Sequence, residues 1–262
     1  HFMRLLQRII WGAWVLLTAA PQALASDSGA TALNYYVARQ QSRPFQIEDN
    51  GHNQRGLVTD LLKTIAARLQ QPLQFHTLPF RRYLQTLKQQ DTGYWITYGA
   101  PQWSEPQSLR LGKESIISIS HSLLYSAHRP ELQVRSASDL CGHNILTLDG
   151  FYYPALDGVL DSDCVKHYQV HTHKAAFLFV ERDIPPALFI EMTYRIRYNL
   201  AQEKFSPAHF RLTDLSAVIP PYDLYFSYSA DVPQQLIDGI DAELKQMKAR
   251  GELQAIIDRY QN

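Results

Sequence analysis

The sequence predicts an α/β protein built as two lobes that share strands. Two observations carry this. From Leu33 to Tyr98, strand-like and helix-like apolar patterns alternate with short connections. The alternation then resumes and runs on to Tyr228, with no flexible linker, low-complexity tract or short tandem repeat between the two blocks. Strand–helix–strand–helix–strand with such short connections implies right-handed βαβ units and a parallel sheet. Two blocks without a linker imply lobes joined by strands, not beads on a string.

In the first block, Leu33-Asn34-Tyr35-Tyr36-Val37-Ala38 is a short β-type run, interrupted by Arg43-Pro44-Phe45. Glu48-Asp49-Asn50-Gly51 reads as a polar turn. Leu57, Leu61, Leu62, Ile65, Ala66 and Leu69 recur at helical spacing. Leu73 to Leu78 alternates as a strand does. Pro79 opens a second helix with Tyr83, Leu84 and Leu87 on one face, Asp91-Thr92-Gly93 ends it, and Tyr94 to Tyr98 is the next strand.

In the second block, Ile116 to Ile119 and Leu123 to Tyr125 are extended, and Ser138-Asp139-Leu140 resembles a short helical turn. Asn144 to Leu148 is a strand with Asp149-Gly150 as its exit turn. A helix over Tyr153 to Leu160, a strand over Val165 to Val170 and a helix over Lys174 to Val180 follow. Leu224 to Tyr228 is a late strand. Pro233 starts a final amphipathic helix carrying Leu236, Ile237, Ile240, Leu244 and Met247, and beyond Gly251 a short helix runs Leu253 to Tyr260.

Ahead of these elements, residues 1–25 read as a signal peptide. Met3 is the expected initiator, downstream of His1 and Phe2; Arg4 and Arg8 supply a positive n-region. Ile9 to Ala20 is an apolar run of h-region length, and Ala23-Leu24-Ala25 is an A-x-A site with cleavage expected before Ser26. The run is short for a membrane span of ~20 residues, and Ser26 stands where a lipoprotein would need cysteine. The expectation is a free protein outside the cytoplasm, in a periplasm.

The 25 basic and 25 acidic side chains balance over the chain. Because Arg4 and Arg8 leave with the leader, the remainder is slightly acidic, which gives no footprint for nucleic acid or an anionic membrane. The chain has two cysteines, Cys141 and Cys164. In an oxidising compartment a lone pair defaults to a disulfide; a redox pair or a metal site are the alternatives, without a C-x-x-C or a zinc-spaced histidine pair beside them.

With these elements in order, nearly the whole chain after the leader resembles bacterial extracellular solute-binding protein family 3. Pro44-Phe45, Glu48-Asp49-Asn50-Gly51 and Gly56-Leu57-Val58-Thr59-Asp60-Leu61-Leu62 are similar to that family's "PPF…ENG…GFDVDLA" opening. Ser136 to Gly142, followed by a strand and Gly150, resembles its "SLADLKGKKVGVQ-G" segment, and Pro233 to Tyr260 resembles its terminal helix. The resemblance implies a type II periplasmic binding protein fold with two crossover hinge strands. Lobe one would be about 30–119 plus 226–262, and lobe two about 120–225. It further implies a small-molecule ligand in the cleft, no cofactor, a monomer, and a membrane permease complex or sensor as partner.

Departures from the family shape the candidate site. Amino-acid binders in the family carry "T-P-E-R" after the third strand, with the arginine forked onto the ligand carboxylate. Here Ala100-Pro101-Gln102-Trp103-Ser104-Glu105 puts Glu105 at that position. Either Glu105 faces a cationic or hydroxylated ligand, or Arg110, Arg81 or Arg82 supplies the charge; Leu78-Pro79-Phe80-Arg81-Arg82 resembles a "P-W-x-R" element that favours Arg82. The family's Gly-Ser/Thr-Thr turn is replaced by Gly150-Phe151-Tyr152-Tyr153. Glu191 is the nearest candidate for the acid that takes a ligand amine. Among the 15 Tyr, 11 Phe and 4 Trp, Tyr35, Phe45, Tyr98, Trp103, Phe151 and Tyr152 fall where they would line a cleft and stack on a planar or cationic ligand. Phe45 is expected as a wall of the site.

Other classes are weaker. His171 and His173 share a face if extended, but two ligands are no metal site without a third. There is no G-x-S-x-G, H-E-x-x-H or P-loop, and nothing in the sequence places Glu105 and His121 together as the acid–base pair a lyase on this scaffold would use. The expected function is capture of a small polar solute, amino-acid-like and either cationic or aromatic, for an ABC transporter, with delivery to a membrane receptor as the alternative.

Overall fold

Two five-stranded sheets organise the molecule, and the chain leaves the first for the second and then returns to it. The computed structural model describes residues 29–261; the leader expected over 1–25 lies outside them. The first sheet starts from β1 (Leu33–Ala38), followed by the hairpin β2 (Ile47–Asp49) and β3 (His52–Arg55) and by α1 (Leu57–Arg68). β4 (Leu73–Leu78), α2 (Phe80–Leu87), β5 (Trp95–Gly99) and β6 (Leu111–Ile119) complete that block. The second contains β7 (His121–Ser126), β8 (Asn144–Leu148), α3 (Asp157–Leu160), β9 (Lys166–Val170) and α4 (His173–Arg182). β10 (Leu188–Met192), α5 (Thr193–Gln202) and β11 (Phe210–Asp214) follow. The chain then returns through β12 (Tyr222–Tyr228) to α6 (Gln234–Ala249) and α7 (Glu252–Asp258).

The first sheet has the order β4-β1-β5-β12-β6 and the second β11-β7-β10-β8-β9. Only Ser120 separates β6 of one sheet from β7 of the other, and the return runs between Asp214 and Tyr222. The sheets are mixed, not parallel throughout. β1 runs parallel to β4 and β5, and β8 to β9 and β10, as the βαβ reading expects. β12 is antiparallel to β5 and β6, and β7 to β10 and β11. The antiparallel strands are those nearest the two crossings, where the chain enters each sheet from the other and not from a helix.

Strand alternation sorts the core. Leu33, Tyr35 and Val37 of β1 join the main apolar cluster, while Tyr36 and Ala38 pack on the other face with Tyr83, Leu87 and Trp95. In β10, Leu188 and Ile190 face one cluster and Phe189 the other. Both faces of these strands are covered, so they read as continuous apolar runs. Cys141 and Cys164 form a disulfide with Cα atoms 4.7 Å apart, inside the usual span.

Several elements differ from the sequence reading, which anticipates neither β10 nor β11. The polar turn at Glu48–Gly51 is the tip of the β2–β3 hairpin. The helix expected from Tyr153 is a short 3₁₀ turn, Pro154–Leu156, leading into α3. α5 follows β10 without a connecting loop, in a stretch where no helix was expected.

Candidate functional site

A cavity of about 60 Å³ lies where the two sheets meet. Tyr98 of β5 and Trp103 beyond it line one side; Phe151 and Tyr153, beyond β8, line another. His121 at the start of β7 and Tyr222 at the start of β12 line it from the two crossings.

The charge in this cavity is a buried ion pair at the β10–α5 junction. Glu191 is 0% exposed and Arg195 5%. Glu191 Oε1 accepts from Met192 N–H at 2.7 Å and lies 3.4 Å from Arg195 Nη1, while His173 Nε2 is 2.8 Å from Oε2. Burial alone would raise the Glu191 carboxyl; Arg195, His173 and the Met192 amide outweigh it and hold it below the ordinary carboxylate value. A cation in the first turn of a helix is unfavourable against the helix dipole, so Arg195 needs these partners. Its Nη2 donates to the Tyr98 hydroxyl at 2.9 Å, and its guanidinium stacks on Phe45 and Phe151 at 5.6 and 5.1 Å. Arg195 Nε is buried without a hydrogen-bond partner.

His121 is the other notable polar group. Burial depresses its imidazole to about 4, with Glu191 opposing and Arg195 assisting, so it is neutral at ordinary pH. Its ring packs against Tyr153 and Tyr222 at 5.8 and 5.7 Å, and Nδ1 is buried without a partner. Trp103 Nε1 donates to Tyr222 Oη at 2.9 Å, and burial pushes that phenol up to about 12. Neutral donors and acceptors thus surround one balanced ion pair.

Of the residues singled out from sequence, Tyr98, Trp103, Gly150, Phe151, Tyr152 and Glu191 come together around the cavity. Phe45 lies behind the wall. It is 0% exposed, and its ring is 5.6 Å from that of Tyr98. The carbonyls of Pro44 and Phe45 accept from the first amides of α1, Leu57 and Val58, which satisfies donors a helix start leaves free. Gly56, at φ +120°, makes this approach possible, since a Cβ there would sit 2.6 Å from the Phe45 oxygen. Tyr35 is likewise buried, bonded to Thr59. Glu105 and Arg82 are exposed, and neither lines the cavity. Arg110 donates to the carbonyls of Ser229 and Ala230, and Arg81 pairs with Asp149.

His173 points to Glu191 and His171 to Asp149, so the two histidines do not converge. Among the described residues, no three His, Cys, Asp or Glu side chains gather as a metal set, and no helix is long and apolar enough to cross a membrane.

Sequence reasoning missed Arg195 and weighed His173 only as a metal ligand. The available signal was the i, i+4 spacing of Glu191 and Arg195, which marks an ion pair only once a helical turn is recognised there.

Comparison with solved structures shows the same fold. A histidine kinase sensor domain with similarity to periplasmic binding proteins superposes with a TM-score of 0.69 at 13% identity, covering 88% of this chain and 96% of that one. An ancestral arginine-binding protein bound to arginine gives 0.67 at 16%, covering 88% and 98%. The substrate-binding protein of an amino acid ABC transporter gives 0.66 at 14%, covering 87% and 98%. No curated protein matches in sequence. The profile of one family does match, over residues 36–262, and the chain belongs to that family, the bacterial extracellular solute-binding proteins, family 3.

Proposed function

We propose that this chain is a periplasmic solute-binding protein that captures a small polar solute between its lobes and presents the closed form to the permease complex of an ABC transporter. One observation carries the reading. The buried Glu191–Arg195 pair lines an aromatic cavity that both sheets contribute to. Closing such a cavity removes water and strengthens each polar contact inside. The proposal takes 30–119 with 226–262 as one lobe and 120–225 as the other, residues 1–25 as a cleaved leader, and the mature protein as a monomer. The step from β6 to β7 through Ser120 supports the first boundary and supplies a hinge. Delivery to a membrane sensor is the second reading, favoured by the likeness to the kinase sensor domain.

A thermal-shift screen of residues 26–262 against amino acids, polyamines, quaternary amines, organic acids and aromatic acids tests the proposal. A true ligand at 100-fold its dissociation constant adds about 2.7 kcal/mol of stability, which a melting curve resolves. Flat curves across every class would overturn the binder.

A further inference from the structure

We propose that the solute carries an uncharged aromatic ring, and that this ring docks in a second compartment beside the cavity. The inference rests on the solute-binding reading and names one part of its ligand. The compartment measures about 160 Å³ and is walled by Pro154 and Ala155, beyond β8, and by Ile219, Pro220 and Pro221 of the return crossing. It shares His121, Tyr152, Tyr153 and Tyr222 with the cavity that holds the Glu191–Arg195 pair, so the two spaces lie on either side of one wall. Three of these shared residues are held in place. The Tyr153 hydroxyl donates to the Ile190 carbonyl at 3.3 Å, Tyr222 accepts from Trp103, and the His121 ring packs on both tyrosines. Tyr152 differs. It is 51% exposed, and its hydroxyl donates to the exposed Asp157 at 3.3 Å. Tyr152 is thus the part of the wall that can swing aside, and a solute held in the cavity can extend past it.

The chemistry of this compartment suits a ring. Among the described residues, no Asp, Glu, Lys or Arg lines it, and burial keeps His121 neutral. A charged group entering it would lose water without gaining a partner. Pro154, Pro220 and Pro221 carry no backbone N–H, so the walls offer few donors to a hydroxyl or carbonyl. What they do offer is flat proline and tyrosine faces, and a ring packed on tyrosine gains more than the area it buries. Tyr152, Pro154, Ala155, Pro220 and Pro221 are all exposed around this one space, an apolar patch of the kind that marks a binding surface. Size agrees, because a cavity of about 150 Å³ with apolar walls takes up benzene.

Calorimetric titration of the full chain with paired probes tests this: alanine with phenylalanine, propionate with 3-phenylpropionate, and propanamide with 3-phenylpropanamide. Each pair keeps its head group and differs only by a phenyl ring on the third carbon, so no charge on the head is assumed. In at least one pair the phenyl member is expected to bind at least about tenfold more tightly. Ala155→Trp fills the compartment from an exposed position that does not line the cavity, and is expected to erase that gap by weakening the phenyl member. Ala155→Ser, which leaves the space open, should keep it. Equal affinities within every pair that binds would overturn the proposal and leave the solute-binding reading standing. So would a phenyl gap that survives in Ala155→Trp. Should all the probes be silent, the tightest solute of the wider screen decides: a ring-free one overturns the proposal, and a ring-bearing one has to lose at least about tenfold in Ala155→Trp. Silence from every solute would remove both readings.

Discussion

His121 shows how one residue's surroundings set a response of the whole protein to acid. Above about pH 6.5 the imidazole is neutral in both the folded and the unfolded chain. As pH falls from there towards 4, the unfolded chain takes up a proton that the folded chain refuses, because the buried ring titrates only near 4. Stability therefore drops through that window, by about 2 kcal/mol between pH 7 and pH 5, and the loss levels off below 4. The groups around the ring are Tyr153 and Tyr222, which pack on it, Glu191, which favours its proton, and Arg195, which opposes it. The Glu191 contribution is lost at lower pH, because its carboxyl is held below its ordinary value. Melting curves at pH 7 and 5 should show a steep acid loss in the parent and a shallower one in His121→Asn. Equal slopes would mean that His121 is not the group refusing the proton.

At the scale of elements, the first block was legible because its buried faces are apolar. In α1 the buried residues are Leu57, Val58, Thr59, Leu61, Leu62, Ile65 and Ala66, which is the helical period itself. α5 hides for the opposite reason. Its buried residues are Arg195, Ile196, Tyr198 and Asn199, and the burial of the two most polar, Arg195 and Asn199, depends on Glu191, Tyr98 and the carbonyl of Arg43. Polar side chains on an inward face erase the apolar period, so the segment carrying the cleft cation was the one the sequence disguised. Glu48 is a second case. It is 1% exposed yet read as turn, because the amides of Gln40 and Gly51 satisfy it only after the β2–β3 hairpin forms. The disulfide was legible from two cysteines alone, and it ties the turn at Ala137–Leu140 to the approach of β9. Closing that loop contributes about 3 kcal/mol. Reduction should lower the melting temperature by roughly 6–12 °C for a chain of this size; an unchanged melting point with both thiols shown to be free would refute the contribution.

Across the whole molecule, the two halves are clasped at one rim of the cleft by contacts other than the Glu191–Arg195 pair itself. Arg81 of α2 forks onto Asp149 at the end of β8, with Nε and Nη2 at 2.9 and 2.7 Å. Phe80 packs against Phe151 with the rings tilted and their centroids 5.0 Å apart, and Gln41 donates to the His171 carbonyl at 2.6 Å. Gly150 lets the turn close on this clasp, since a Cβ there would lie 3.1 Å from the Phe80 ring. Arg81 is 76% exposed, so the ion pair is worth only about 0.5–1 kcal/mol. That is too little to matter for folding but enough to shift an open–closed equilibrium, where the competing states differ by a few kcal/mol. A ligand that binds only the closed form would lose affinity in proportion to the closed fraction. Asp149→Asn should therefore leave the melting temperature nearly unchanged, enlarge the radius of gyration of the ligand-free protein in solution scattering, and weaken solute binding roughly two- to fivefold. Identical scattering and affinity in the parent and the variant would show that the clasp does not govern closure, leaving the aromatic contact of Phe80 with Phe151 as the element that holds this rim shut.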